Sequence, residues 1–210
     1  MIKNKIKILR EKFKVFKIDG YIVPKNDEYF SEYAKNDRLK NISNFSGSAG
    51  IAVILKKKNY LFVDGRYTIQ AAQQSAKNFN IIEIHKRQPN TIIKRLNLGY
   101  DPRVFTSKSL TNYFSSNNLI PVNNNLIDQI FKFKEKITKP FFSLQKNIVG
   151  ESHNSKILKV VNYLKSNKAD YLFVSAPENV AWLLNIRGYD NPNSPIPNAR
   201  LIIDKNKKLF

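Results

Sequence analysis

The chain has no cysteine, which removes disulfides, thiolate nucleophiles and cysteine-based metal sites together. That fits a reducing compartment and sets the expectation of a cytoplasmic protein. Histidine is nearly as scarce: only His85 and His153 occur, far apart and in no zinc-type spacing, so each reads as a surface or locally satisfied side chain. Acidic residues number 16 against 36 lysines and arginines, a formal net charge of +20. No apolar run is long enough to span a membrane. The basic stretch from Met1 to Arg10 lacks the apolar core and small-residue cleavage site of a signal peptide. No P-loop and no GxSxG elbow occurs.

The positive charge raises the question of nucleic acid, because phosphate contacts reward it. The lysines are scattered along the whole chain beside abundant asparagine, as an AT-rich coding sequence produces. No RNP, KH, zinc-finger or helix-turn-helix pattern accompanies them. Lys56-Lys57-Lys58 reads as a solvated hairpin tip. Weak nonspecific binding at low salt is expected, not a specific nucleic-acid partner.

With 42% hydrophobic residues in 210, the chain can fill a core and hold one large or two small domains. Ile2, Ile6, Leu9, Phe13 and Phe16 follow at spacings of four, three, four and three, which predicts a helix over 2–16. Asp19-Gly20 stops it, Tyr21-Ile22-Val23 is a strand ended by Pro24, and 26–33 reads as a turn and short helix capped by Asn26 or Asp27. Residues 38–48 look like loop. Strands 51–55 and 60–63 form a hairpin across the lysine turn, and 67–76 is a helix. Strands at 80–84, 98–100 and 119–122 then alternate with helices from 90 and over 107–115, and 126–131 is a further short helix. This alternation predicts an α/β layer with a mixed sheet flanked by helices. Residues 132–147 read as a linker between a domain over 1–131 and a second α/β unit over 148–210. That second unit has a helix over 154–164, a buried strand at 170–174, a helix over 177–184 capped by Ser175, and a strand at 201–203. Its last strand, Leu209-Phe210, is too short to complete a sheet, so the chain is expected to be a piece of a longer protein.

Two turns stand out. Ser46-Gly47-Ser48-Ala49-Gly50 precedes the hairpin and Asp64-Gly65-Arg66-Tyr67 follows it. Their glycines allow positive φ and close backbone approach. The first is no phosphate loop, since it leads into a strand and not a helix. The second presents Arg66, whose guanidinium suits a carboxylate or carbonyl-rich ligand; the plainer reading is a surface ion pair. Asp27-Glu28 reads as a solvated cap, and Trp182 as a core aromatic on its helix.

These residues carry a resemblance. Tyr21-Ile22-Val23-Pro24, Glu32-Tyr33, Phe45-Ser46-Gly47-Ser48-Ala49-Gly50, and Asp64-Gly65-Arg66-Tyr67 with Gln70-Ala71-Ala72 resemble, in order and spacing, the N-terminal region of cytosolic-type Xaa-Pro aminopeptidases. Glu178 to Asp190 (ENVAWLLNIRGYD), followed by Asn193 and Pro195, resembles the same family's second domain. The family pattern continues there with aromatics, whereas this chain has Ser194, Ile196, Pro197 and Asn198.

The resemblance implies a creatinase/prolidase N-terminal-like domain, a related middle domain that is incomplete here, and a catalytic domain beyond Phe210. That third domain would hold two divalent ions, usually manganese, through two aspartates, a histidine and two glutamates. None of those five ligands can be carried onto this sequence, so no metal and no catalytic residue is expected in it. One functional residue carries over: Arg66, the arginine of the DGRY motif, is expected to contact the peptide substrate, which has proline in second position. The implied partners are that peptide and the chain's own catalytic domain; the resemblance also allows a homodimer of the whole protein. The readings standing against it are an interaction module or pseudoenzyme, a basic nucleic-acid binder, and a creatinase-type amidinohydrolase.

Overall fold

The computed structural model describes all residues except 1, 32–35, 132, 134–139 and 192. Two compact units divide the chain, 1–134 and 135–210.

The first unit opens with helix α1, Ile2–Val15, which buries Ile6, Leu9 and Phe13 on one face as their spacing requires. Strand β1 (Gly20–Pro24) follows, then helix α2 (Arg38–Ser43), the hairpin β2 (Gly50–Leu55) and β3 (Asn59–Val63), helix α3 (Thr68–Ser75) and β4 (Asn80–Glu83). A four-residue turn of helix, α4 (Pro89–Ile92), leads to β5 (Asn97–Tyr100), α5 (Ser107–Phe114), β6 (Asn118–Pro121) and α6 (Leu126–Ile130). The sheet order is β4-β3-β2-β1-β5-β6. β2 is antiparallel to both its neighbours, and the other pairs are parallel, so five strands point one way and the sheet is mixed.

Each face of this sheet has its own core, because successive side chains of a strand alternate sides. Tyr21, Val23, Ala52, Ile54, Leu61 and Val63 face α1, α2, α3 and α6. Ile22, Val53 and Phe62 face the other way, onto Ile93 and Phe114.

The second unit contains β7 (Phe142–Ser143), helix α7 (His153–Ser166), β8 (Tyr171–Val174), helix α8 (Pro177–Leu184), β9 (Ile186–Arg187) and β10 (Leu201–Asp204). β10 pairs antiparallel with β8, and β7 with β9. Its core is Ile157, Val161, Val180, Leu183, Leu201 and Ile203.

The opening of the second unit repeats that of the first. Lys17 and Lys168 both end their helices in the left-handed region, with φ 51° and 53°. The next amides reach back alike, Ile18 N–H to the Phe13 carbonyl (3.0 Å) and Ala169 N–H to the Leu164 carbonyl (2.9 Å). Asp19 then holds the Lys56 ammonium at 2.5 Å, and Asp170 holds Lys205 at 2.7 Å. Lys5 Nζ donates to the Asn41 carbonyl near the end of α2, and Lys156 Nζ to the Trp182 carbonyl near the end of α8. Ile22 pairs with Val53, and Phe173 with Ile202, in the same register.

The structure corrects several expectations. Residues 38–48 are not all loop: Asp37 accepts from the Lys40 N–H at 2.9 Å and starts α2, which buries Leu39 and Ile42. Asp27 organises a turn, not a helix, accepting from the amides of Tyr29 and Ser31; Glu32-Tyr33 lies outside the described residues. The helix from residue 90 stops at Ile92, because Ile93 turns extended to reach the core. Ser175 does not cap α8; Ala176 precedes it without a side-chain bond, and Pro177 starts it. The strand at 171–174 is half-buried, with Tyr171 and Phe173 outward. Trp182 is 60% exposed, because α8 turns its neighbours Ala181 and Leu183 inward. Among the described residues no glycine has positive φ; Asn44 and Asn185 take the left-handed helix caps instead. The expected linker over 132–147 lies partly outside the described residues and includes β7.

Candidate functional site

Because five strands of the first unit share a direction, the segments after β1, β3, β4, β5 and β6, and the one before β2, gather at one edge of the sheet. Open α/β sheets bind ligands at such carboxyl edges. The two turns read from the sequence meet there.

Arg66 lies on a single 3-10 turn, Gly65–Tyr67, directly after β3. Asp64 caps that turn: its Oδ1 accepts from the Arg66 backbone N–H at 3.0 Å and from Arg66 Nε at 2.8 Å. The two Arg66 bonds hold the Asp64 carboxyl down at about 2, with a smaller contribution from His85, whose Nε2 stands 3.6 Å from Oδ2. The guanidinium is 72% exposed and lies 5.4 Å from the centre of the Tyr67 ring. A cation fixed at its Nε and stacked on an aromatic is pre-oriented for an anionic or carbonyl ligand.

Tyr67 joins this turn to the other one. Its hydroxyl lies 2.8 Å from Ser48 Oγ, and its ring meets Phe45 edge-on at 5.9 Å. Ser46 is held from α3, with Gln70 Nε2 donating to its Oγ at 3.0 Å and its backbone N–H donating to Gln74 Oε1 at 2.9 Å. The serine turn and the arginine turn therefore form one hydrogen-bonded platform. Gly47 is required in it: a Cβ there would stand 2.3 Å from the Phe45 ring.

Beside the platform lies an ionic group that sequence reasoning missed. The Arg38 side chain, 7% exposed, donates from Nε and Nη2 to the two oxygens of Asp128, both at 2.7 Å, and from Nη2 to Glu28 at 2.6 Å. Burial pushes the Glu28 carboxyl up, but the Arg38 bonds outweigh it and hold it below its ordinary value. Lys25 pairs with Asp37. Asp101, buried, is pushed up by burial and drawn below its ordinary value by Arg103, and it accepts from Asn125 at 2.9 Å. Asp27-Glu28 is thus not a solvated pair: Asp27 is buried in its turn and Glu28 is bound by Arg38. Residues 90 positions apart, such as Arg38 and Asp128, carry no local spacing signal.

His85 and His153 fall in different units, His153 on the rim of a second-unit cavity of about 830 Å³ that Glu151 and Asn185 also line. Among the described residues no three His, Asp or Glu side chains are grouped as metal ligands, and no helix is long and apolar enough to cross a membrane.

The chain belongs to the creatinase/prolidase N-terminal domain family, whose models match residues 5–130 and, under the same description, residues 132–210. Its relatives are aminopeptidases. A probable Xaa-Pro aminopeptidase P from Coprinopsis cinerea is 31% identical over 209 residues, covering 90% of this chain and 33% of the relative. Xaa-Pro aminopeptidase 1 from Dictyostelium discoideum is 31% identical over 234 residues, covering 98% and 37%. Among solved structures, an X-prolyl aminopeptidase from Caenorhabditis elegans, described as a cytosolic enzyme with a di-nuclear active site, matches at TM-score 0.86 and 25% identity. That match covers 100% of this chain and 38% of the other. The chain spans about a third of the length of these relatives.

Proposed function

We propose that the two units are the N-terminal part of a cytoplasmic, metal-dependent Xaa-Pro aminopeptidase, which releases the first residue of peptides whose second residue is proline. In this reading the two units carry no bond-breaking chemistry. They shape the substrate pocket, and Arg66 binds the peptide through a carbonyl or carboxylate. The observation that carries the reading is the Arg66 guanidinium, exposed at the sheet's carboxyl edge yet locked at Nε by Asp64. Its support is the set of relatives named as aminopeptidases. The described residues offer no ligand group for a metal pair. In this reading the two divalent ions, manganese by the family resemblance, belong to a catalytic domain that partners these units in the whole protein, as the di-nuclear site of the Caenorhabditis elegans enzyme suggests. When bound, such ions polarise the scissile carbonyl and supply hydroxide. The residues of this chain bind and orient.

The test has two arms. The 210-residue chain, supplied with manganese and an Xaa-Pro-Pro peptide, should show no turnover; robust hydrolysis overturns the division of labour. In the whole enzyme, Arg66→Ala should lower kcat/KM about 10- to 100-fold, chiefly through KM, as loss of a charged hydrogen bond predicts. Unchanged kinetics would show that Arg66 does not touch substrate.

A further inference from the structure

A cavity of about 370 Å³ opens at the same sheet edge, over the ends of β1, β2 and β5. Pro24, Phe30, Ile51, Phe105 and Tyr113 make it mostly apolar, and Ser48, Lys25, Asn26, Thr106 and Ser109 supply its polar lining. Its size lies at the small end of ligand pockets, enough for one amino-acid side chain. Two of its rings are braced from behind, Phe105 edge-on to Tyr100 at 6.0 Å and Tyr113 to Phe114 at 6.5 Å.

The third ring is held at a conformational cost. Phe30 has φ 59°, a region bulky residues rarely occupy. Buried Asp27 enforces it: its carbonyl accepts from the Phe30 N–H at 3.0 Å, and its Oδ1 accepts from the amides of Tyr29 and Ser31. The result is an aromatic 49% exposed at the lip of an apolar cavity, where folding alone gains little.

Contacts run unbroken from this cavity to Arg66. Ser48 on the rim bonds the Tyr67 hydroxyl, and the Tyr67 ring lies under the guanidinium. Strands stand about 4.8 Å apart, so the end of β3, where Arg66 sits, is about 10 Å from the end of β1. An extended peptide covers that distance in about three residues.

We propose that this cavity is a subsite for one large apolar side chain, of leucine to phenylalanine size, on the peptide that Arg66 binds, about three residues from the group Arg66 holds. This rests on the reading of Arg66 given above and adds a sequence preference to it. The braced rings supply an apolar socket, and Arg66 fixes the register at which a side chain enters it.

The test is an NMR titration of the 210-residue chain with alanine-based Xaa-Pro peptides carrying a single phenylalanine moved along the sequence. One position should tighten binding about tenfold over the all-alanine peptide and shift the Ile51 and Val104 methyls. Phe30→Ala should abolish that preference and leave all-alanine binding unchanged, and the cavity-filling Ala49→Leu should likewise abolish the preference. Arg66→Ala should weaken every peptide alike. If Arg66→Ala weakens binding but no phenylalanine position is favoured, the subsite is wrong and the Arg66 reading survives. If the preference persists in both cavity variants, the subsite is likewise overturned. If the preference needs Phe30 but ignores Arg66, the cavity binds apolar side chains and the shared register is refuted.

Discussion

Replacing Arg38 by methionine keeps the length and apolar body of the side chain and removes its charge. The guanidinium makes three charged hydrogen bonds of 2.6–2.7 Å from a site only 7% exposed, tying Glu28, α2 and α6 together. Breaking a fully buried ion pair costs about 3–5 kcal/mol, because the partner charge is left unpaired. Here Glu28 and Asp128 are 26% and 34% exposed, so water recovers part of that. The expected loss for the first unit is about 2–3 kcal/mol, or a fall in melting temperature near 10 °C. The double variant Arg38→Met/Asp128→Leu should recover about half, since it removes one stranded carboxylate.

The pH dependence makes the prediction sharper. In the native protein Glu28 sits below its ordinary value, so it stabilises the fold above about pH 4 and loses that contribution as pH falls through its folded value. Without Arg38 the largest influence on Glu28 is burial, which pushes it up against the smaller pull of a backbone hydrogen bond and Arg103, so most of its stabilising contribution at neutral pH is lost. The gap between the two proteins should therefore be widest near pH 7 and close below about pH 4. The chain's one tryptophan, Trp182, lies in the second unit, so its fluorescence serves as an internal control. Unfolding of the first unit can be followed by tyrosine near-ultraviolet dichroism in urea. A loss under about 0.5 kcal/mol at pH 7, or a gap constant from pH 7 to 3, would refute the argument.

Gly47→Ala should destabilise the first unit by about 1–3 kcal/mol, since its new methyl would stand 2.3 Å from the Phe45 ring, and thermal melting checks this. A Phe45→Leu background should relieve most of that cost. Asp64 should titrate at about 2 by carbon-13 NMR and return toward an ordinary value near 3.9 in Arg66→Ala; no movement would mean that the Nε contact does not persist in solution.

Much of the fold was legible because it rests on local signals. The apolar stripe Ile6-Leu9-Phe13 and the alternation through β2 and β3 depend only on period, and both held. Helix α2 was not legible, because its sequence shows only Leu39 and Ile42 inward, and its start depends on Asp37 reaching an amide three residues on. Trp182 misled for a related reason: a large aromatic on a short helix says nothing of which side the neighbours will bury. At the site, Arg66 and its Asp64 partner were visible as a dipeptide-scale motif. The Tyr67–Ser48 link and the Arg38 group were not, since sheet order, not sequence distance, brings those residues together.

The repeated opening of the two units has one more consequence. The β1–β2 and β8–β10 ribbons share register and an aspartate–lysine latch, but Ile22 and Val53 are roofed by a second layer while Tyr171, Phe173 and Ile202 meet water. The molecule thus contains two ribbons of one register that differ in burial and in flanking strands, since β1 and β2 each pair a further strand and β8 and β10 make a two-stranded sheet. Comparing amide exchange at Ile22 with that at Phe173 would weigh what an apolar roof and flanking strands together add to a strand pair, inside a single polypeptide and a single tube.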